Sequence, residues 1–167
     1  MRIKRIATAA LLAAAILLAP GCKKFDITKA LSINGLPNFS VIMNNGESVN
    51  VLTLMGTPSV IVTFDPEDEL SDKALSVVQS LYDEYRYKVK FITISSAASE
   101  KTVENYWNRL FLTLPYSVQE DDRQAKKFSE TTPYIVVVDD NYGVKGSFGR
   151  DDIPSRTRLN DILKTLI

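Results

Sequence analysis

The sequence predicts an α/β or α+β domain built on a mixed central sheet, and three observations carry that prediction. Ser59–Phe64 and Tyr134–Val138 are short apolar runs rich in β-branched residues, the pattern of strands buried on both faces. Residues 89–94 form a third such run, and segments with helical patterning separate the three. A turn over 139–143 then returns the chain as Val144–Phe148, before an amphipathic helix over 156–167. Strands alternating with helices, followed by a late hairpin, imply a sheet of mixed direction.

The first residues read as an address rather than a domain. Arg2, Lys4 and Arg5 precede an apolar run over 6–19, broken only by Thr8. That run falls short of the roughly 20 apolar residues that span a bilayer. It ends in Leu18-Ala19-Pro20-Gly21-Cys22, and Cys22 is the only cysteine of the chain. A basic segment, an apolar segment and small residues before a cut are the marks of a secretory signal. Residues 1–22 also resemble the bacterial lipoprotein signal, although Pro20 is unusual there. That resemblance implies a signal peptide over 1–21, cleavage before Cys22 and lipidation of its sulfur. The plainer reading is an ordinary secretory signal with Cys22 incidental.

Composition narrows the chemistry. The chain balances 20 basic against 20 acidic residues and has no histidine. Loss of Arg2, Lys4 and Arg5 with the signal leaves the remainder mildly acidic, which disfavours nucleic acid as a partner. With Cys22 lipidated, no free thiol and no disulfide remain. The lack of histidine excludes serine–histidine triads and the usual Cys/His zinc sites. Residues 22–167 are an ordinary length for one domain with a full core.

In order, 22–35 is polar and irregular, a tether ahead of a domain over 36–167. Residues 39–43 alternate weakly up to Asn44-Asn45-Gly46, a two-strand turn signal, and 48–54 return, so 39–54 reads as a hairpin. Gly56-Thr57-Pro58 punctuates before Ser59–Phe64. Asp65 suits a helix cap and Pro66 a first helical position. Over Glu69–Tyr85, Leu70, Ala74, Val77, Val78, Leu81 and Tyr85 fall at helical spacing. Residues 99–110 read as a second helix with Ser99 as cap and Glu100 and Glu104 early enough to suit its dipole. Residues 113–118 read as a short extended piece and 121–128 as one or two helical turns.

Four stretches are similar to the thioredoxin-like redoxins tethered in bacterial envelopes. Leu36-Pro37-Asn38-Phe39-Ser40, with Asn45-Gly46 and Val49, resembles the entry hairpin of that family. Residues 60–64 resemble the strand leading to its active site, and Ser80-Leu81-Tyr82-Asp83-Glu84-Tyr85 the end of the helix that follows. Pro133 to Asp139, with Gly143 beyond, resembles the segment in which a cis-proline opens the next strand. The resemblance implies a thioredoxin-like α/β fold with a mixed central sheet flanked by helices and an N-terminal β-hairpin. It covers residues 36–150.

The departure falls on the residues that define the chemistry of the family, a Cys-x-x-Cys at the helix start whose first thiol is acidified for attack on disulfides. Counting back from Tyr85 places those positions on Asp68-Glu69-Leu70-Ser71, so Asp68 and Ser71 are degenerate active-site positions. Every neighbouring register also lacks cysteine. An aspartate is a permanent anion in the same electropositive place, but it neither exchanges disulfides nor forms the sulfenic acid that peroxide reduction requires. The family also implies that the backbone before Pro133 is exposed to peptides. A groove formed by Asp65, Glu67, Asp68, Glu69, Thr132 and Pro133 follows as the expected binding site.

The expected function is therefore a lipid-anchored, non-catalytic envelope protein, periplasmic or outer-membrane facing, that binds a protein or peptide and needs no cofactor. Two rivals stand beside it. One is a redoxin or peroxiredoxin-like enzyme that borrows a partner's thiol. The other is a metal or small-molecule carrier using Asp65, Glu67, Asp68, Glu69 and Asp72 as oxygen ligands, although these lack the spacing and glycine of an EF-hand loop. Helix capping and solvated charge account for those acids more simply. Gly143, Gly146 and Gly149 read as turn and strand-end glycines rather than a phosphate loop. Tyr106, Trp107 and Phe111 line either a ligand groove or one helix face packed on the sheet.

Overall fold

The computed structural model describes residues 32–97, 99–119 and 122–167. The expected signal peptide over 1–21, the lipidation site Cys22, the tether as far as residue 31 and Asp121 lie outside the described residues.

Strand β3 (Ser59–Phe64) is buried at every position, as its unbroken apolar run predicts. Its neighbours are β4 (Lys90–Ser95), parallel, and β5 (Tyr134–Val138), antiparallel. The edge strand β6 (Val144–Phe148) adds antiparallel to β5, giving the order β4-β3-β5-β6. This is the mixed sheet that the alternation of elements implied.

Each face of the sheet has its own cover. On one, Val60, Val62 and Phe64 join Ile135 and Val137 beneath three helices: α1 (Glu69–Tyr85), α2 (Glu100–Arg109) and α4 (Arg156–Lys164). Ala74, Leu75, Val78, Leu81 and Tyr85 make the buried stripe of α1, and Leu159 and Leu163 that of α4. On the other face, Ile61, Ile92, Ile94, Val136 and Val138 meet Phe39, Val41, Val49, Val51 and Leu54, with Ala125 from the short α3 (Arg123–Lys126).

The N-terminal hairpin is shorter than its sequence pattern. β1 (Ser40–Ile42) pairs with β2 (Ser48–Asn50), and the chain then leaves the ribbon as a 3-10 turn, Val51–Leu54. Reciprocal capping explains the break. The Asn50 side-chain oxygen accepts from the Leu52 and Thr53 amides, while Thr53 Oγ1 accepts the Asn50 amide at 3.1 Å. Residues 113–118 form no strand; Ser117 alone bridges Met43 and Ile94. The last helix ends at Lys164, where the Thr165 hydroxyl turns back onto the Ile162 carbonyl. Among the described residues, no helix is long and apolar enough to cross a membrane.

Phe64 fixes the carboxyl end of β3. It is fully buried, with its ring centroid 5.0 Å from that of Trp107 and 5.9 Å from that of Tyr106. Replacing Phe64 with alanine is expected to cost about 3–5 kcal/mol, read as a lower midpoint in urea with little change in slope.

Candidate functional site

The site grows from the carboxyl end of β3, where α/β sheets present their chemistry. The chain turns through Asp65-Pro66-Glu67-Asp68, closed by the Asp68 amide on the Asp65 carbonyl at 3.1 Å. Pro66 thus occupies the second turn position, which its fixed φ favours, rather than the first helical one. Asp65 does not cap the helix either; its carboxylate accepts the Glu67 amide at 3.0 Å inside the turn. The cap is Asp68, in extended backbone, with Oδ1 accepting the Leu70 amide at 3.1 Å. Two residues compete for one cap, and the one adjoining the first helical amides takes it.

Ser71 is fully buried one turn into α1. Its amide donates to the Asp68 carbonyl at 2.9 Å, and its hydroxyl accepts the Asp65 amide at 3.0 Å. Positions 68 and 71 therefore sit at the cap and third residue of the helix, three apart across one turn. In this chain they anchor a turn.

Pro133 is buried, Thr132 is half-buried, and the peptide bond between them is cis. β5 starts immediately after, with Tyr134 opposite Thr63 near the end of β3. The two halves of the expected groove meet through a residue that sequence reasoning missed. Arg150, which opens a 3-10 turn (Arg150–Asp152) after β6, donates from Nη1 to the Thr132 carbonyl at 3.0 Å. The same nitrogen is ion-paired with Asp68 Oδ2. Asp68 is the more enclosed partner, its side chain 16% exposed against 44% for Arg150. The place of Arg150 follows from the pairing of β5 with β6, which no single stretch of sequence displays: Phe148 faces Ile135, so Arg150 continues the count to Pro133.

The other acids are parcelled out. Asp72 reaches across to Arg109 on α2 at 3.4 Å, and Arg109 lies over the Tyr106 ring at 5.1 Å. The Tyr106 hydroxyl is buried without a hydrogen-bond partner; burial first, and the nearby Asp72 carboxylate next, hold the phenol firmly protonated. Glu67 and Glu69 are exposed, and no hydrogen bond or ion pair among the described residues joins them to Thr132 or Pro133. Among the described residues, no group of three or more His, Cys, Asp or Glu side chains is placed to hold a metal ion. Asp65, Asp68 and Asp72 thus serve as turn-forming, capping and ion-pairing groups, while Glu67 and Glu69 face solvent.

Tyr106, Trp107 and Phe111 do not share one surface. Trp107 packs against Phe64 and Tyr116 and donates Nε1–H to the Leu114 carbonyl at 2.8 Å. Tyr106 is buried with it, whereas Phe111 is 88% exposed at a positive φ of 53°. The glycines do turn and packing work: a Cβ on Gly143 would meet Asp139 Oδ2 at 2.7 Å, and one on Gly146 the Phe148 ring at 3.0 Å.

Restoring thiols at both positions tests the geometry. The double variant D68C/S71C is expected to form an intramolecular disulfide under mild oxidant, detected by protection from alkylation in mass spectrometry. Reduced, the thiol introduced at position 68 should titrate below the free value of about 8.5, because the helix start and the Arg150 cation both favour thiolate. Adding R150Q should raise that value again. A folded double variant that stays fully alkylatable after oxidant would show that the two positions do not face each other.

The chain is similar to several solved structures. MTB dsbF, solved in mixed oxidized and reduced forms, is 18% identical with a TM-score of 0.67, over 77% of this chain and 95% of its own. A thiol:disulfide interchange protein of the thioredoxin family from Chlorobium tepidum is 16% identical with a TM-score of 0.65, over 78% and 93%. A secreted disulfide oxidoreductase from Mycobacterium tuberculosis, homologous to E. coli DsbE, is 14% identical with a TM-score of 0.64, over 77% and 96%. No protein-family model matches the chain, and no curated protein does. Across the described residues the chain therefore has the thioredoxin-like fold, with Asp68 and Ser71 at the start of its first long helix and no cysteine among those residues.

Proposed function

We propose that this chain is a lipid-anchored protein of the bacterial envelope whose thioredoxin-like domain binds a protein or peptide partner and carries out no thiol chemistry of its own. The observation that carries the reading is the meeting of Asp68 with the Thr132 carbonyl through Arg150. The helix start and the backbone before Pro133 adjoin, as a peptide groove requires, while the one cysteine of the chain is Cys22. A carboxylate has no sulfur to exchange, so what such a groove retains is recognition. An extended segment laid along it would pair its main chain with the Thr132 backbone, in the manner of strand addition.

The envelope assignment draws support from two directions. The basic, apolar and small-residue sequence over 1–22 has the form of an export signal ending in a lipidatable cysteine. One of the similar structures is a secreted protein. Stable retention at a membrane takes more than one acyl chain, so a lipoprotein-type modification of Cys22 would hold the domain where a single chain would not.

Three measurements test this reading. In a bacterial host fed radiolabelled palmitate, the full chain should take up label and partition into detergent, and C22S should do neither. A C22S chain should show no insulin-disulfide reduction and no peroxide consumption above buffer at any pH; turnover there would overturn the non-catalytic reading. A photo-crosslinking residue placed at exposed Thr131, beside the groove, should capture an envelope protein that the same residue at exposed Tyr87 does not. Identical capture from both positions would place the partner elsewhere.

A further inference from the structure

We infer that Arg150 is an internal occupant of the peptide groove, and that the segment displacing it carries an arginine or lysine that takes over Asp68. This inference rests on the peptide-binding reading above and specifies its partner. A single guanidinium nitrogen, Nη1, occupies both polar groups that a bound segment would need: the Thr132 carbonyl at 3.0 Å and Asp68 Oδ2. While it is there, the Thr132 carbonyl already holds a donor and the carboxylate is neutralised. The groove is therefore closed by a side chain of its own chain.

The asymmetry of the tie says which partner moves. Asp68 is held on its other oxygen by the Leu70 amide and is the more enclosed of the two. Arg150 is nearly half exposed, on a short 3-10 turn at the end of an edge strand, and an ion pair this exposed is held only weakly. Displacement therefore swings Arg150 out and leaves Asp68 in place. The vacated carboxylate, with Glu67 and Glu69 exposed beside it, favours a cation, and the freed carbonyl accepts a main-chain N–H. An extended basic segment supplies both. An acidic segment meets the carboxylates of Glu67, Asp68 and Glu69 and brings no cation to replace Arg150.

The test uses the full chain in detergent and two pools of fluorescein-labelled, cysteine-free decapeptides. Both pools are randomised except for the central residue, which is arginine in one and glutamate in the other. If Arg150 fills the groove nine-tenths of the time, R150Q should bind the arginine pool about tenfold more tightly than the unaltered chain, read by anisotropy. D68N in the R150Q background keeps a good helix cap, so it should stay folded while losing the preference for arginine over glutamate. R150Q binding the arginine pool no better than the unaltered chain, or preferring glutamate, would overturn the inference. The Thr131 crosslinking result does not depend on Arg150, so a groove that captures its partner there, with no gain in R150Q, removes this inference and leaves the peptide-binding reading standing. If neither pool binds any variant and Thr131 captures nothing, both fall.

Discussion

Burial of β3 on both faces is the constraint on which the rest of the molecule depends. All six of its residues are enclosed, so it needs an apolar cover on each side and a paired strand on each edge. The helices α1, α2 and α4 supply one cover, and the hairpin with its 3-10 turn supplies the other. A strand held this way has one free end. Phe64, packed against Trp107 and Tyr106, fixes where that end lies, and the turn over 65–68 starts from it. The position of the turn is thus set by a strand buried on both faces.

At that end the hydrogen bonds of the turn fix the start of α1. Asp68 supplies the helix cap, an interaction worth about 1 kcal/mol. The buried Ser71 hydroxyl accepts the Asp65 amide, which would otherwise be left without a partner as the turn closes. A thiol is a weaker acceptor and a larger atom, so a cysteine at 71 would satisfy that amide less well. The residues at 68 and 71 thus serve the fold directly.

The elements whose patterns are local were legible in the sequence. The bounds of β3, α1 and β5 follow from runs of apolar residues or from helical spacing, because burial decides them, whereas those of the mostly exposed β6 follow from the turn that precedes it. Where two local options compete, pattern reading failed. Residues 51–54 alternate like a strand, but Asn50 and Thr53 cap each other and turn the chain into a 3-10 helix. Asp65 and Asp68 both suit a cap, and only the closure of the Pro66 turn decides between them. At the carboxyl end of β3, the helix start at Asp68 and the Thr132-Pro133 bond could each be picked out in the sequence as separate pieces. Arg150 could not, because its place depends on the register between β5 and β6, a property of pairing rather than of either strand alone.

That register also gives the site its electrostatic character. Five acids lie within residues 65–72, and a sequence view invites treating them as one cluster. The fold divides them by bringing cations from different elements: Arg109 from α2 meets Asp72, and Arg150 from beyond β6 meets Asp68. Asp65 turns inward to the backbone of its own turn. Only Glu67 and Glu69 are left facing solvent without such a partner among the described residues, and they flank the carboxylate that Arg150 covers. The face is therefore not a uniformly acidic patch. It is a neutralised carboxylate with an acidic margin, in which the neutralising charge is the component nearest to water. Charge placed in that order makes exchange of one cation for another the change of lowest cost, and leaves the helix cap intact throughout.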